Sequence, residues 1–140
     1  EGIDVAVINY GLHLHDEPEV RHTYEEVVST LRKFKAEGAG RVAVVRETTA
    51  QHFESDDKSG NYDHRTDDEN KGGESCHCPQ LDLVYQKLDF RNCLLADAVR
   101  EGGAGEVLVW PVYKLTALRH DMHRGTSRPI EDKPHPNCDC

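Results

Sequence analysis

The apolar residues of the chain fall into continuous runs and into stripes with helical spacing. The runs "DVAVINYG" (4–11), "RVAVVRE" (41–47) and "EVLVWPVY" (106–113) are rich in valine. Such runs are typical of strands that are buried on both faces of a parallel sheet. Pro111 marks the point at which the third strand is expected to leave the sheet. The sequence therefore predicts three strands of one sheet.

Two apolar stripes with a period near 3.6 residues lie between these runs. Asp16 or Glu17 can cap the first helix, and Pro18 suits its first turn. Its apolar stripe consists of Val20, Tyr24, Val27, Val28, Leu31 and Phe34. Gly38 favours an end soon after that stripe. A second stripe, formed by Val84, Leu88, Leu95 and Val99, predicts a helix over about residues 82–101.

The order of elements is therefore strand, helix, strand, long loop, helix, strand and loop. This order predicts an α/β fold, a three-layer α/β/α architecture with a mostly parallel sheet. Residues 54–80 form the long loop, which is acidic and carries glycines and cysteines. They do not match a calcium-binding loop, since counting from Asp57 puts Tyr62 where an EF-hand needs glycine. Residues 114–140 have no periodicity and are expected to form a loop.

The charge balance removes two classes of partner. The formal net charge is -9, from 17 Lys and Arg against 26 Asp and Glu. A nucleic acid or an anionic membrane surface requires a basic face, so neither is expected as a partner. No phosphate-binding loop, dinucleotide fingerprint or H-E-x-x-H motif occurs, and no cofactor is predicted. The chain opens on Glu1 almost directly before a strand, which gives the expectation that it was cut from a longer protein.

Parallel sheets bind their ligands beyond the carboxyl ends of the strands. The segments "NYGLHLH", "RETTAQHF" and "YKLTALRHDMH" follow the three predicted strands and carry polar side chains. The side-chain amide of Asn9 and the backbone N–H of Gly11 are donors of the type that stabilises an oxyanion. The alternative is structural, with Gly11 making a turn and Asn9 satisfying backbone groups.

Five further polar residues of these segments are candidates for a substrate pocket. They are His13, His52, Arg119, Asp121 and His123. His52 has three alternative roles, as a base, as a substrate ligand or as a packed loop residue. Asp121 can orient a histidine, and His120 with His123 forms a weak H-x-x-H metal pattern. A polar turn network is the alternative for this last group.

The cysteines admit two interpretations. Four of the five form C-x-C pairs, Cys76 with Cys78 and Cys138 with Cys140. Such pairs favour disulfides in an oxidising compartment. Zinc sites use the longer C-x₂₋₄-C spacing, so no metal is predicted, although His77 and His135 leave a mixed zinc site as the alternative.

Five blocks of the sequence, taken in order, carry a resemblance to a known family. The blocks are "DVAVINYGLH", "RETTAQHF", "GGESC", "TALRHDMH" and the final "DC". Together they resemble the PC-esterase family of SGNH-type hydrolases, which includes the trichome-birefringence-like polysaccharide O-acetyltransferases and algal relatives. The sequence departs from the family pattern in two places, and both bear on the identity of the acceptor glycan. They are the acidic insertion at 54–71, and Leu12, His13 and Leu14 in place of an aromatic pair.

The resemblance implies a Ser-His-Asp triad in which Asp139 is the acid. Residues 1–140 would then form a partial SGNH-like domain that is incomplete at both ends. The family's G-D-S serine would lie upstream, and its histidine two residues beyond Cys140. The implied reaction is O-acyl transfer or hydrolysis, with acetyl as the expected group, between an acyl donor and a polysaccharide or glycan acceptor.

The resemblance also implies a location and a cross-link. The implied compartment is the secretory pathway, either the Golgi lumen or the extracellular space, and a membrane anchor in the parent is left open. A disulfide from Cys76 or Cys78 to Cys140 is implied near the active site. Neither the acyl donor, the acceptor nor the oligomeric state follows from the sequence.

Overall fold

The structure is a computed structural model, and it describes residues 3–11, 14, 16–53, 59–61, 78, 80–81 and 89–122. The chain divides into two compact units. The first consists of Glu1–Thr48 and Leu88–Val112, and the second of Thr49–Lys87 and Tyr113–Cys140. Within the described residues, no helix has the length and hydrophobicity that crossing a bilayer requires.

The first unit contains a three-stranded parallel sheet. Strands β1 (Val5–Ile8), β2 (Val42–Arg46) and β3 (Val107–Trp110) lie in the order β1-β2-β3. Both neighbouring pairs are parallel. The predicted α/β fold with a parallel sheet is therefore confirmed. Each strand is shorter than the apolar run that predicted it, since the run continues into the loop beyond the last ladder pair.

Helix α1 (Glu17–Ala36) follows β1 and begins where its sequence predicts. The side chain of Asp16 accepts a hydrogen bond from the backbone N–H of Glu19, which satisfies a donor of the first turn. Acidic residues occupy the first turn and basic residues the last, so both ends complement the helix dipole. The helix ends at Ala36, just before the predicted stop at Gly38.

Helix α2 (Phe90–Gly102) precedes β3 and begins at the cap residue Asp89. The predicted helix began near residue 82, and residues 82–88 lie outside the described part of the chain. Gly103, which caps its end, packs closely because an added Cβ would lie 2.8 Å from a methyl carbon of Val28. The carboxyl end of α2 therefore sits directly on α1 and favours glycine at this position.

Both described helices of the first unit pack on the same face of the sheet. The shared core consists of Val20, Tyr24, Val28 and Leu31 of α1, Leu94, Leu95 and Ala98 of α2, and Ala43, Val45 and Val107 of the strands. The opposite face is also apolar, since Val7, Val44 and Leu108 lie side by side on it. Val7 and Leu108 are about half exposed there. Apolar residues on both faces are typical of a parallel sheet that is covered from both sides.

The second unit contains a segment that sequence periodicity missed. Residues 114–140 were expected to form a loop, but all of helix α3 (Tyr113–Ala117) except its first residue lies within them, as does a 3₁₀ turn (His120–Met122). That expectation was wrong because one helical turn is too short to show a period. Tyr113 and Ala117 of α3 form a small core with Ala50 and Leu81.

Candidate functional site

Asn9 joins the carboxyl ends of β1 and β2. Its side-chain nitrogen Nδ2 donates to the backbone oxygens of Arg46 at 3.0 Å and of Glu47 at 3.2 Å. In return, Nη2 of Arg46 donates to Oδ1 of Asn9 at 3.0 Å. Asn9 therefore satisfies backbone groups in this structure, as the structural alternative requires. The oxyanion role stays a prediction, and it would need the amide to exchange these carbonyls for the substrate.

Gly11 occupies a backbone position that a larger residue could not share with Tyr24. Its φ is +119°, and an added Cβ would lie 2.6 Å from the hydroxyl oxygen of Tyr24. That hydroxyl donates to the backbone oxygen of Tyr10 at 2.7 Å, and burial raises the pKa of Tyr24. The loop after β1 is thus held against α1, and glycine is required for that close approach. The donor role of its N–H stays a prediction.

Thr48, the second residue after β2, is clamped by a side chain from α2. Its backbone N–H donates to Oδ1 of Asn92 at 2.9 Å, and its backbone oxygen accepts from Nδ2 of Asn92 at 3.0 Å. Both residues are buried. A single asparagine thus satisfies both polar groups of a buried backbone position, as such groups require.

A buried ion pair lies at the start of α2. Nη1 of Arg91 donates to both carboxylate oxygens of Asp89 at 3.2 Å. The side chains of Arg91 and Asp89 are only 4% and 1% exposed. Nε of Arg91 donates to the backbone oxygen of Leu14 at 2.9 Å, which ties the loop after β1 to α2. A buried charge is tolerated only with such pairing and hydrogen bonding.

Sequence reasoning did not identify these supporting residues, namely Tyr24, Asp89, Arg91 and Asn92. Tyr24 was counted as part of an apolar stripe, although its hydroxyl makes the contact described above. The signal available for the other three was the run "DFRNC", in which charged and amide residues interrupt a helical pattern. Their partners are 44 residues away for Asn92 and 77 residues away for Arg91, so local pattern does not reveal them.

In the second unit, His52 is buried against α3. Its Nε2 lies 2.9 Å from the backbone oxygen of Ala117. Since a carbonyl oxygen only accepts, Nε2 carries the hydrogen of this bond. Close by, the backbone N–H of Ala50 donates to Oγ1 of Thr116 at 3.0 Å. His52 thus has the burial and contact of a packed loop residue, and its role in a substrate pocket stays a prediction.

Arg119 and Asp121 form an exposed bidentate ion pair in the second unit. Nε and Nη2 of Arg119 donate to the two carboxylate oxygens of Asp121 at 2.8 and 3.0 Å. Asp121 therefore binds its neighbouring cation, and its role in orienting a histidine stays a prediction. Nδ1 of His120 lies 3.2 Å from the backbone oxygen of Cys78, which links this turn to the cysteine-bearing segment.

Replacing Arg119 with glutamine is expected to raise the pKa of Asp121. The hydrogen bonds from Arg119 lower that pKa below its ordinary value, since they stabilise the charged carboxylate. A carboxylate whose pKa is lowered by folding contributes stability above its unfolded pKa, and this is lost as the pH falls through the folded pKa. Carbon-detected NMR titration of the Asp121 carboxyl measures the shift. An unchanged pKa in Arg119→Gln would show that the pair does not persist in solution.

The remaining predicted residues lie outside the described part of the chain. They are His13, His123, Asp139, Cys76, Cys138 and Cys140. Cys78 is described and is disulfide-bonded. Its partner is not among the described residues, so the predicted pairing with Cys140 stays a prediction. A disulfide sulfur is not a thiolate, which removes Cys78 from the zinc ligands of the alternative interpretation.

Among the described residues, no group of three or more His, Cys, Asp or Glu side chains is placed to hold a metal ion.

Cys93 is a free, exposed thiol. Burial and then the nearby carboxylates of Asp89 and Asp97 raise its pKa, which lowers its thiolate fraction at neutral pH.

Comparison with protein-family models gives no match to this chain. Comparisons with curated proteins and with solved structures likewise give none.

Proposed function

We propose that these 140 residues form part of the catalytic domain of a carbohydrate-directed O-acyltransferase or esterase. The domain would have the SGNH-like three-layer fold, with a Ser-His-Asp triad and Asp139 as its acid. The acyl group would be acetyl, taken from an acyl donor and given to a polysaccharide or glycan acceptor. The protein would work in the secretory pathway, where the disulfide at Cys78 is stable.

One observation supports this proposal more than any other: blocks that the resemblance groups together are hydrogen-bonded to one another. In the first unit, Asn9 of "DVAVINYGLH" bonds with Arg46 and Glu47 of "RETTAQHF". In the second unit, Ala50 and His52 of "RETTAQHF" bond with Thr116 and Ala117 of "TALRHDMH". The residues joined are 37, 38, 65 and 66 positions apart. The first contact continues the register in which Ile8 pairs with Val45, and the contacts in the second unit, which lie outside any strand ladder, are separate support.

The position of the first two blocks gives further support. Asn9 and Gly11 follow β1, and Glu47 and Thr48 follow β2, so all four lie at the edge where parallel strands end. That edge is where open α/β sheets bind ligands. This placement supports the proposal, since the two candidate oxyanion donors and the start of the second block all follow strand ends at that edge.

The proposed reaction has two acyl transfers. The serine oxygen attacks the acyl carbon of the donor while the histidine takes the serine proton and passes it to the departing group. A sugar hydroxyl or water then attacks the acyl-serine and gives its proton to the histidine, which passes that proton to the departing serine oxygen and so restores both residues. Asp139 would hold the histidine in the correct tautomer, and the Asn9 amide and the Gly11 N–H would bind the oxyanion.

The 140-residue chain alone is expected to hydrolyse simple acetyl esters no faster than buffer. The reason is that no "GDS" block occurs in these residues and that the histidine two residues beyond Cys140 is not among them, so the proposed nucleophile and base are both missing. Initial rates with 4-nitrophenyl acetate measure this. In the longer protein that the resemblance implies, Asp139→Asn should remove turnover, and the control Asp97→Asn, at a surface ion pair outside the five blocks, should retain it. Turnover by the chain alone, or full activity of Asp139→Asn, would contradict the proposal.

A non-catalytic SGNH-like domain that binds glycans or another protein is the second candidate. The observation that favours it is the Asn9 amide, which donates to the backbone oxygens of Arg46 and Glu47 in this structure. Under this alternative the longer protein would bind acetylated glycan without turning it over. Saturable binding of the acetylated glycan, together with hydrolysis no faster than in buffer, would contradict the first proposal and support the second.

A further inference from the structure

Four hydrogen bonds connect Asn92 of α2 to Asn9, although the two residues have no bond to each other. Asn92 holds both the N–H and the carbonyl of Thr48. The preceding residue, Glu47, offers its backbone oxygen to the side-chain amide of Asn9. The same amide also donates to the oxygen of Arg46, the last residue of β2. The position of the 46–48 backbone therefore determines where the Asn9 amide is held.

The two hydrogen bonds between Asn92 and Thr48 hold the Thr48 backbone firmly because both residues are buried. Thr48 and Asn92 are 1% and 5% exposed, so water does not replace a lost bond there. Asn92 itself is fixed in the first turn of α2, since its N–H bonds with the backbone oxygen of the cap residue Asp89. Arg91, one residue earlier, reaches the loop after β1 through the backbone oxygen of Leu14. The first turn of α2 thus holds the loops after both strands by their backbones.

We infer that Asn92 is a positioning residue: it sets the orientation of the Asn9 side-chain amide by fixing the backbone of Thr48. None of the five motif blocks contains Asn92, so the residue lies outside the set that the resemblance identifies. That the Asn9 amide takes part in acyl chemistry rests on the proposed function, whereas the coupling from Asn92 to Asn9 does not. The coupling is a property of the folded first unit.

The test is NMR of the whole chain, with hydrogen exchange measured at the Thr48 N–H and chemical shifts measured at the Asn9 side-chain amide. In Asn92→Ala the Thr48 groups lose their partners, so the buried Thr48 N–H should exchange about tenfold to a hundredfold faster. The chemical shifts of the exposed Asn9 amide should move away from their wild-type values. In Asn92→Asp the acceptor for the Thr48 N–H remains and the donor to its oxygen is lost. This conservative variant should therefore give an intermediate rate, and it serves if the alanine variant does not fold.

The matched control is Leu95→Ala, which empties a buried position of the same helix and removes no hydrogen bond to either loop. It should lower global stability and leave the chemical shifts of the Asn9 amide at their wild-type values. The inference is overturned if Asn92→Asp changes the Asn9 amide no more than Leu95→Ala does at equal global stability. If Asn92 substitutions change the Asn9 amide but the longer protein shows no activity, only the proposed function is contradicted. If the longer protein turns over acyl esters but Asn92 substitutions leave the Asn9 amide unchanged, only the role of Asn92 is contradicted.

Discussion

Replacing Arg91 with methionine is expected to lower the free energy of unfolding by about 3–5 kcal/mol, the cost of leaving a buried charge without its partner. The Asp89 carboxylate would stay in place, since it also caps α2 by accepting from the N–H of Arg91. With its side chain only 1% exposed, it would have no water to replace the guanidinium. The carbonyl of Leu14 would lose its donor as well. Denaturant unfolding followed by circular dichroism at pH 7 measures the change.

The matched control for this prediction is Arg100→Met on the same helix. Arg100 pairs with Asp97 three residues earlier, but its side chain is 69% exposed. An exposed pair of this kind contributes about 0–1 kcal/mol. Asp89→Asn combined with Arg91→Met should recover part of the loss, because asparagine keeps the cap without the charge. Equal small losses in Arg91→Met and Arg100→Met would contradict the buried pair.

Replacing Gly11 with alanine is expected to lower the free energy of unfolding by about 2–5 kcal/mol, from backbone strain and overpacking together. The backbone φ of +119° is rarely adopted by residues with a Cβ, and the new Cβ would lie 2.6 Å from the Tyr24 hydroxyl. That hydroxyl is buried and already bonded to Tyr10, so it has little room to move. Thermal and denaturant unfolding both measure the loss.

Two controls separate the strain from the overpacking. Gly105 also has a positive φ, +78°, but an added Cβ would meet no atom within 4 Å. Gly105→Ala should therefore show the backbone cost alone and be less harmful. Removing the Tyr24 hydroxyl relieves the clash, so Gly11→Ala with Tyr24→Phe should lose less than the sum of the single variants. Strict additivity would mean that the two residues do not meet.

Much of the first unit follows from the sequence, because periodicity reports which side of an element is apolar. The three valine-rich runs predicted the strands, and the cap at Asp16 placed the start of α1. The helix over Tyr113–Ala117 was missed, since five residues make little more than one turn. Periodicity works where an element is long enough to repeat its apolar positions.

The candidate site was less accessible to sequence reasoning. The motif residues Asn9 and Gly11 were identified, but the residues that hold them were not. The contacts of Asn92 with Thr48 and of Arg91 with Leu14 depend on where α2 meets the strand ends in three dimensions. A polar residue in a helical stripe looks the same in sequence whether it faces solvent or a buried carbonyl. Burial decides between these, and burial is a tertiary property.

The most direct test of the proposed function is the coding sequence on both sides of these 140 residues. The proposal predicts a G-D-S block upstream of Glu1 and a histidine two residues beyond Cys140, which would complete D-C-x-H after Asp139. Reading the gene or its transcript gives the answer without any assay. A reading frame that contains neither the serine block nor the histidine would contradict the proposal.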